Sequence, residues 1–117
     1  MSTHCYIGLE HVDGTITYMY CQFDGYPSYV GKRLYTYYSK RDTISTLVTN
    51  GSIVSLELPI HDMIRIEPIT TWSAMNRYEF ESSFYQRTDI SYYYLFTMEN
   101  EWRCKIKDTI SLHELYQ

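Results

Sequence analysis

The sequence lacks the marks of several large protein classes. No stretch approaches the ~18 consecutive apolar residues of a membrane-spanning helix, and the start Met1-Ser2-Thr3-His4-Cys5 has neither the basic patch nor the apolar run of a secretory signal. A soluble, cytoplasmic protein without a membrane partner is expected. Cysteine is scarce: Cys5, Cys21 and Cys104 are odd in number and widely spaced, which fits neither a disulfide scaffold nor paired zinc ligands and leaves reduced, mostly buried thiols. Positive charge is also in deficit. Lys+Arg 10 against Asp+Glu 14 gives a net charge of -4, which argues against binding nucleic acid through the overall field and leaves room only for a local basic patch.

What is present is apolar and aromatic material. A chain of 117 residues that is 44% hydrophobic can bury one core, so residues 1–117 are read as a single compact domain. The 14 tyrosines are the unusual feature. Each joins a large apolar ring to a polar hydroxyl, suited to lining a sheet, filling an interface or stacking on a base. Charge is unevenly spread: Lys32, Arg33, Lys40 and Arg41 balance Glu10, Asp13, Asp24 and Asp42, so the acidic surplus lies wholly beyond residue 56.

Along the chain, Cys5 to Phe23 reads as a β-hairpin about a two-residue Asp13-Gly14 turn. That turn would set Leu9 against Tyr18, Ile7 against Tyr20 and His11 against Ile16 on a core face. Tyr6, Gly8, Glu10 and Val12 would then face Cys21, Met19, Thr17 and Thr15. Asp24-Gly25-Tyr26-Pro27 re-aims the chain. A helix follows over 28–38 with Val30, Leu34 and Tyr37 or Tyr38 buried, and Gly31 inside it implies close packing on the sheet or close approach of a ligand. Ser39 and Asp42 suggest a capping box for a second helix, with Ile44, Leu47 and Val48 on one face and Asn50-Gly51 at its end. Residues 52–70 are less readable, with a short strand at 63–67. Residues 71–87 fit an irregular segment or a weakly amphipathic helix, the helix being preferred. A late hairpin turning at Glu99-Asn100 would place Leu95, Tyr93 and Thr97 against Cys104, Ile106 and Trp102 in the core. Tyr92, Tyr94 and Phe96 would meet Lys107, Lys105 and Arg103 on an exposed aromatic and cationic lattice. The expected fold is α+β: an antiparallel sheet built from hairpins, with one or two short helices on one face.

Tyr6-Ile7-Gly8, the Asp13-Gly14 turn, the run from Tyr20 through Pro27, Val30-Gly31-Lys32 with Leu34, and Tyr94-Leu95-Phe96 with Trp102 together resemble a group of small, mostly uncharacterised proteins of bacteriophages and other mobile elements. The first part of the chain carries the likeness and the last part shares it loosely. The resemblance implies a protein that modifies host physiology or blocks antiviral defence by binding a host protein. It supplies no catalytic residues.

The chemistry-bearing residues form no strong catalytic or metal-binding pattern. His4, Cys5, His11 and Cys21 lie near one hairpin, but the turn assignment points Cys21 away from Cys5 and His11, so no metal site is expected. Glu57 and His61 are separated by Pro59, which breaks the helix that their spacing would need. No nucleophile elbow, redox cysteine pair or phosphate loop is present, and the carboxylates Asp13, Asp24, Glu79 and Glu81 sit in turn-like or polar settings. No enzymatic activity and no cofactor are expected. Gly25, Gly31, Lys32 and Arg33 form a weak candidate anion site near a helix start.

The candidate ligand-binding set is therefore Lys32, Arg33, Tyr92, Tyr94, Phe96, Arg103, Lys105 and Lys107, and the candidate protein-contact set is Tyr26, Tyr37, Tyr38 and Tyr94. Stacking on a nucleotide or nucleic acid would give about 1–3 kcal/mol per base. The same residues serve equally as a soluble sheet face or protein interface, with basic stems laid over the rings, and that reading is preferred. A host-protein inhibitor leads, a nucleotide or nucleic-acid binder is the alternative, and sheet edges together with the tyrosine surplus favour a homodimer.

Overall fold

The computed structural model describes residues 3–57 and 63–107. Its centre is a five-stranded sheet with strands β1 (His4–Glu10), β2 (Ile16–Cys21), β3 (Trp72–Ala74), β4 (Ile90–Phe96) and β5 (Trp102–Ile106), in the order β3-β2-β1-β4-β5. The α+β class holds, but the sheet is mixed: the two hairpins meet through a parallel pairing of β1 with β4. Helices cover both faces rather than one. A wide helical turn at Pro27–Gly31, α1 (Lys32–Tyr37) and α2 (Arg41–Thr49) lie on one face, and α3 (Arg77–Gln86) lies on the other.

Both hairpins are shifted by one residue from the sequence expectation, for the same reason. The first loop has three residues, Val12–Gly14: the His11 N–H donates to the Thr15 carbonyl, and Gly14 takes the positive φ that closes the turn. Asp13 Oδ1 accepts from both the amide and the hydroxyl of Thr15, fixing the loop. The second loop, Met98–Asn100, repeats the device with Asn100 at positive φ and the Thr97 N–H donating to the Glu101 carbonyl. Side chains in a strand alternate, so a one-residue slip exchanges the faces of the returning strand. Ile7 pairs with Met19, Leu9 with Thr17 and Cys5 with Cys21. In the late hairpin Tyr94 pairs with Cys104, Phe96 with Trp102 and Tyr92 with Ile106.

The consequence is two cores. Ile7, Leu9, Met19, Tyr94 and Phe96 pack under Val30, Leu34, Tyr38, Ile44, Leu47 and Val48, the helical stripes that the sequence periodicity indicates. Tyr38 rather than Tyr37 completes the first stripe. On the other face Tyr6, Tyr18, Tyr93 and Leu95 pack under Phe80 and Phe84 of α3. Edge-on contacts with Phe80, at 5.0 and 4.9 Å between ring centres, hold Tyr18 and Tyr93 in this core.

Other local expectations resolve individually. Gly31 is explained by packing: a Cβ there would lie 3.1 Å from the Tyr94 ring. Lys40, not Ser39, occupies the N-cap of α2, and its side chain makes no capping hydrogen bond. The C-terminal end of α2 is instead held by Arg65, which donates to the Leu47 and Gly51 carbonyls at 3.0 and 2.6 Å. Around Arg65 the expected strand is reduced to a single bridge with Ile53. Residues 71–87 divide into β3 and the helix α3, which Asn76 caps by accepting the Glu79 N–H at 2.9 Å. Pro59 and His61 lie outside the described residues.

Candidate interaction site

The corrected registers divide the expected ligand set between two faces. Tyr94 and Phe96 are buried on the α1/α2 face, Tyr94 donating to the Gly25 carbonyl at 2.7 Å and Phe96 packing edge-on to Trp102. Tyr92 is half-buried beside Tyr94. Neither Tyr94 nor Phe96 offers an open ring face to a base, so the expected aromatic and cationic lattice is not formed. Arg103 and Lys105 project to the opposite, α3 face, opposite Leu95 and Tyr93. Lys107 is engaged in structure: its ammonium group caps the end of α3 by donating to the Phe84 carbonyl at 2.7 Å and to that of Arg87. Lys32 and Arg33 sit on the helical layer of the other face, where Arg33 lies over the Tyr29 ring at 4.2 Å. Of the expected protein-contact residues, Tyr26 and Tyr37 are exposed, whereas Tyr38 and Tyr94 are buried.

The structure does bring Arg103 and Lys105 together, in an open cleft of about 550 Å³ between α3 and the β4–β5 hairpin. Arg77, Phe80, Glu81, Tyr93, Leu95 and Cys104 complete its walls. Glu81 accepts from the Tyr93 hydroxyl at 2.7 Å and lies 3.1 Å from the Lys105 ammonium group. The Tyr93 bond, more than the nearby lysine, holds the Glu81 carboxyl below the usual carboxylate range. Burial, then the Glu81 carboxylate, pushes the Tyr93 hydroxyl up, so it stays a donor at neutral pH. Arg103 is exposed and forms no ion pair among the described residues.

The cleft is anchored at the ends of the two parallel strands. Glu10, buried at the end of β1, accepts two bonds from Arg77 at 2.6 and 2.8 Å and one from the Met98 N–H at 2.9 Å. Arg41 closes the other side by donating to the Glu10 carbonyl at 2.7 Å and the Thr97 carbonyl at 2.8 Å. These bonds tie β1, α2, α3 and the β4–β5 loop into one clasp. Glu10, Arg77 and Arg41 are thus committed to holding the cleft and Lys105 is paired with Glu81, which leaves Arg103 as its outward cation.

Arg77 and Tyr93 line the cleft without having been singled out as site residues by their sequence pattern, and Glu81, read as a polar-surface carboxylate, joins them. A signal was available: Asn76 followed three residues later by Glu79 starts a helix, and the spacing of Arg77 and Glu81 then sets them on one helical face. The register slip also places Cys21 on the same face as Cys5, both buried, contrary to the expectation that they diverge. Among the described residues no group of three His, Cys, Asp or Glu side chains lies close enough to hold a metal ion, and no helix is long and apolar enough to cross a membrane. Comparison with protein families, curated proteins and solved structures finds no match.

Proposed function

We propose that this protein acts without catalysis, as a stoichiometric binder of another protein, through the β5 side of the cleft. The supporting observation is the exposed cation that β5 presents on the cleft. Arg103 stands exposed and without an ion-pair partner among the described residues, while Tyr94 and Phe96 are sealed in the opposite core. An exposed guanidinium without an ion-pair partner among the described residues suits carboxylates on a protein surface, and with Tyr94 and Phe96 buried the expected stacking platform for bases is lost. The resemblance to phage and mobile-element proteins directs the search for the target to host-defence proteins, which this chain would inhibit by occupying them.

The test is affinity capture from a bacterial host with the full chain and its Arg103→Glu variant as baits, followed by native mass spectrometry. The expected result is a complex of fixed stoichiometry with one host protein, lost in the variant. A retained nucleotide with no protein complex would replace this reading by ligand sequestration.

A further inference from the structure

β5 is the edge of the sheet, and its hydrogen-bonding pattern follows from two bonds of its hairpin. The Thr97 N–H donates to Glu101 and the Lys107 N–H donates to Ser91, so 97 with 101 and 91 with 107 are hydrogen-bonded pairs. Such pairs alternate along an antiparallel ladder. Arg103 and Lys105 therefore bond inward to β4, and the backbone N–H and C=O groups of Trp102, Cys104 and Ile106 point outward from the sheet.

The side chains of this edge are sorted by face. Trp102, Cys104 and Ile106 share the face of Tyr92, Tyr94 and Phe96, whereas Arg103 and Lys105 stand on the cleft face. A strand added to this edge would set its own alternate residues beside an apolar row and a cationic row. A second copy of β5 fits poorly. In an antiparallel self-pairing centred on Arg103, Cys104 or Lys105, with faces matched, Arg103 or Lys105 meets Arg103 or Lys105 of the other copy, and like charges directly opposite are destabilising.

We propose that the β5 edge binds an extended segment of its target in which apolar and acidic residues alternate, extending the sheet by one strand with the acidic residues over Arg103 and Lys105. The proposal rests on the protein-binding reading and gives the chemistry of the partner. Edge cations also guard against indiscriminate strand pairing; here they make the edge selective for one charge pattern.

The probe is a blocked peptide in which valine alternates with glutamate, titrated into the full chain and followed by NMR amide shifts and hydrogen exchange. A peptide with lysine in place of glutamate is the control. The acidic peptide is expected to protect the amides of Trp102, Cys104 and Ile106, and the lysine peptide to leave them unchanged. Cys104→Pro should abolish binding with the fold intact, because the lost N–H points away from β4. Arg103→Glu should weaken the acidic peptide by more than about tenfold, because it removes one charge-assisted contact and sets a like charge against the peptide. Equal binding of the two peptides, or binding of neither, overturns the proposal. So does prior protection of these three amides in the free protein, which would mean that a second copy or residues 108–117 already cover the edge. If the acidic peptide fails while Arg103→Glu still abolishes a captured complex, the target is bound in another form and protein binding itself stands. If that complex also survives the variant, both readings fall.

Discussion

Arg77 grips Glu10 with two hydrogen bonds, of 2.6 and 2.8 Å, across the end of the central strand β1. The carboxylate side chain is 3% exposed and the arginine 44%, so the pair is buried on its acidic side only. Glu10→Ala would strand the Met98 N–H and release the guanidinium to water. A loss of about 2–3 kcal/mol is expected in urea unfolding at pH 7, below the full cost of breaking a pair buried on both sides.

The same pair sets an acid limb. The hydrogen bond from Arg77, foremost, holds the Glu10 carboxyl below the ordinary glutamate range despite its burial. A folded-state value below the unfolded one contributes stability that is complete above about pH 4.5 and is lost as pH falls through the folded value. Urea midpoints measured from neutral pH downward should fall more steeply for the wild type than for Glu10→Ala.

Tyrosine hydroxyls give an alkaline limb of opposite sign. Burial first, then nearby thiols, pushes the Tyr94 hydroxyl up, and burial with Glu81 does so for Tyr93. Raised folded values contribute stability that is present below about pH 10, the ordinary tyrosine value, and is lost as pH climbs toward them. Ultraviolet difference titration should show these two ionising only together with loss of the near-ultraviolet circular dichroism.

Two buried tyrosines should respond oppositely to loss of the hydroxyl. Tyr38 is buried and its hydroxyl has no hydrogen-bond partner among the described residues, so Tyr38→Phe should be neutral or stabilising by up to about 1 kcal/mol. Tyr94 donates to Gly25, and Tyr94→Phe should cost about 1 kcal/mol. Thermal unfolding of the two variants checks both signs.

Much of the helical layer was legible because a helix states its buried face within a few turns. Val30 with Leu34, and Ile44 with Leu47 and Val48, occupy the positions that their spacing indicates. The hairpins were located correctly, but their loops each hold one residue more than Asp13-Gly14 and Glu99-Asn100 suggest. That residue moved Tyr94 and Phe96 into one core and Arg103 and Lys105 to the other face. The parallel pairing of β1 with β4 joins segments more than eighty positions apart, beyond any local pattern. One sign of it was present: the nearly continuous apolar run Tyr92 through Phe96 fits a strand covered on both sides better than a half-exposed hairpin.

The division of β5 into outward backbone, apolar face and cationic face is the claim from which the function follows. Amide hydrogen exchange along residues 101–107 of the free, full-length protein tests it most directly. The account predicts alternation, with slow exchange at Arg103, Lys105 and Lys107 and fast exchange at Trp102, Cys104 and Ile106. The opposite phase, with Arg103 and Lys105 fast, would contradict it. That result would return the cations to the face of Tyr94 and Phe96 and move the alternative, nucleic-acid stacking, ahead of protein binding.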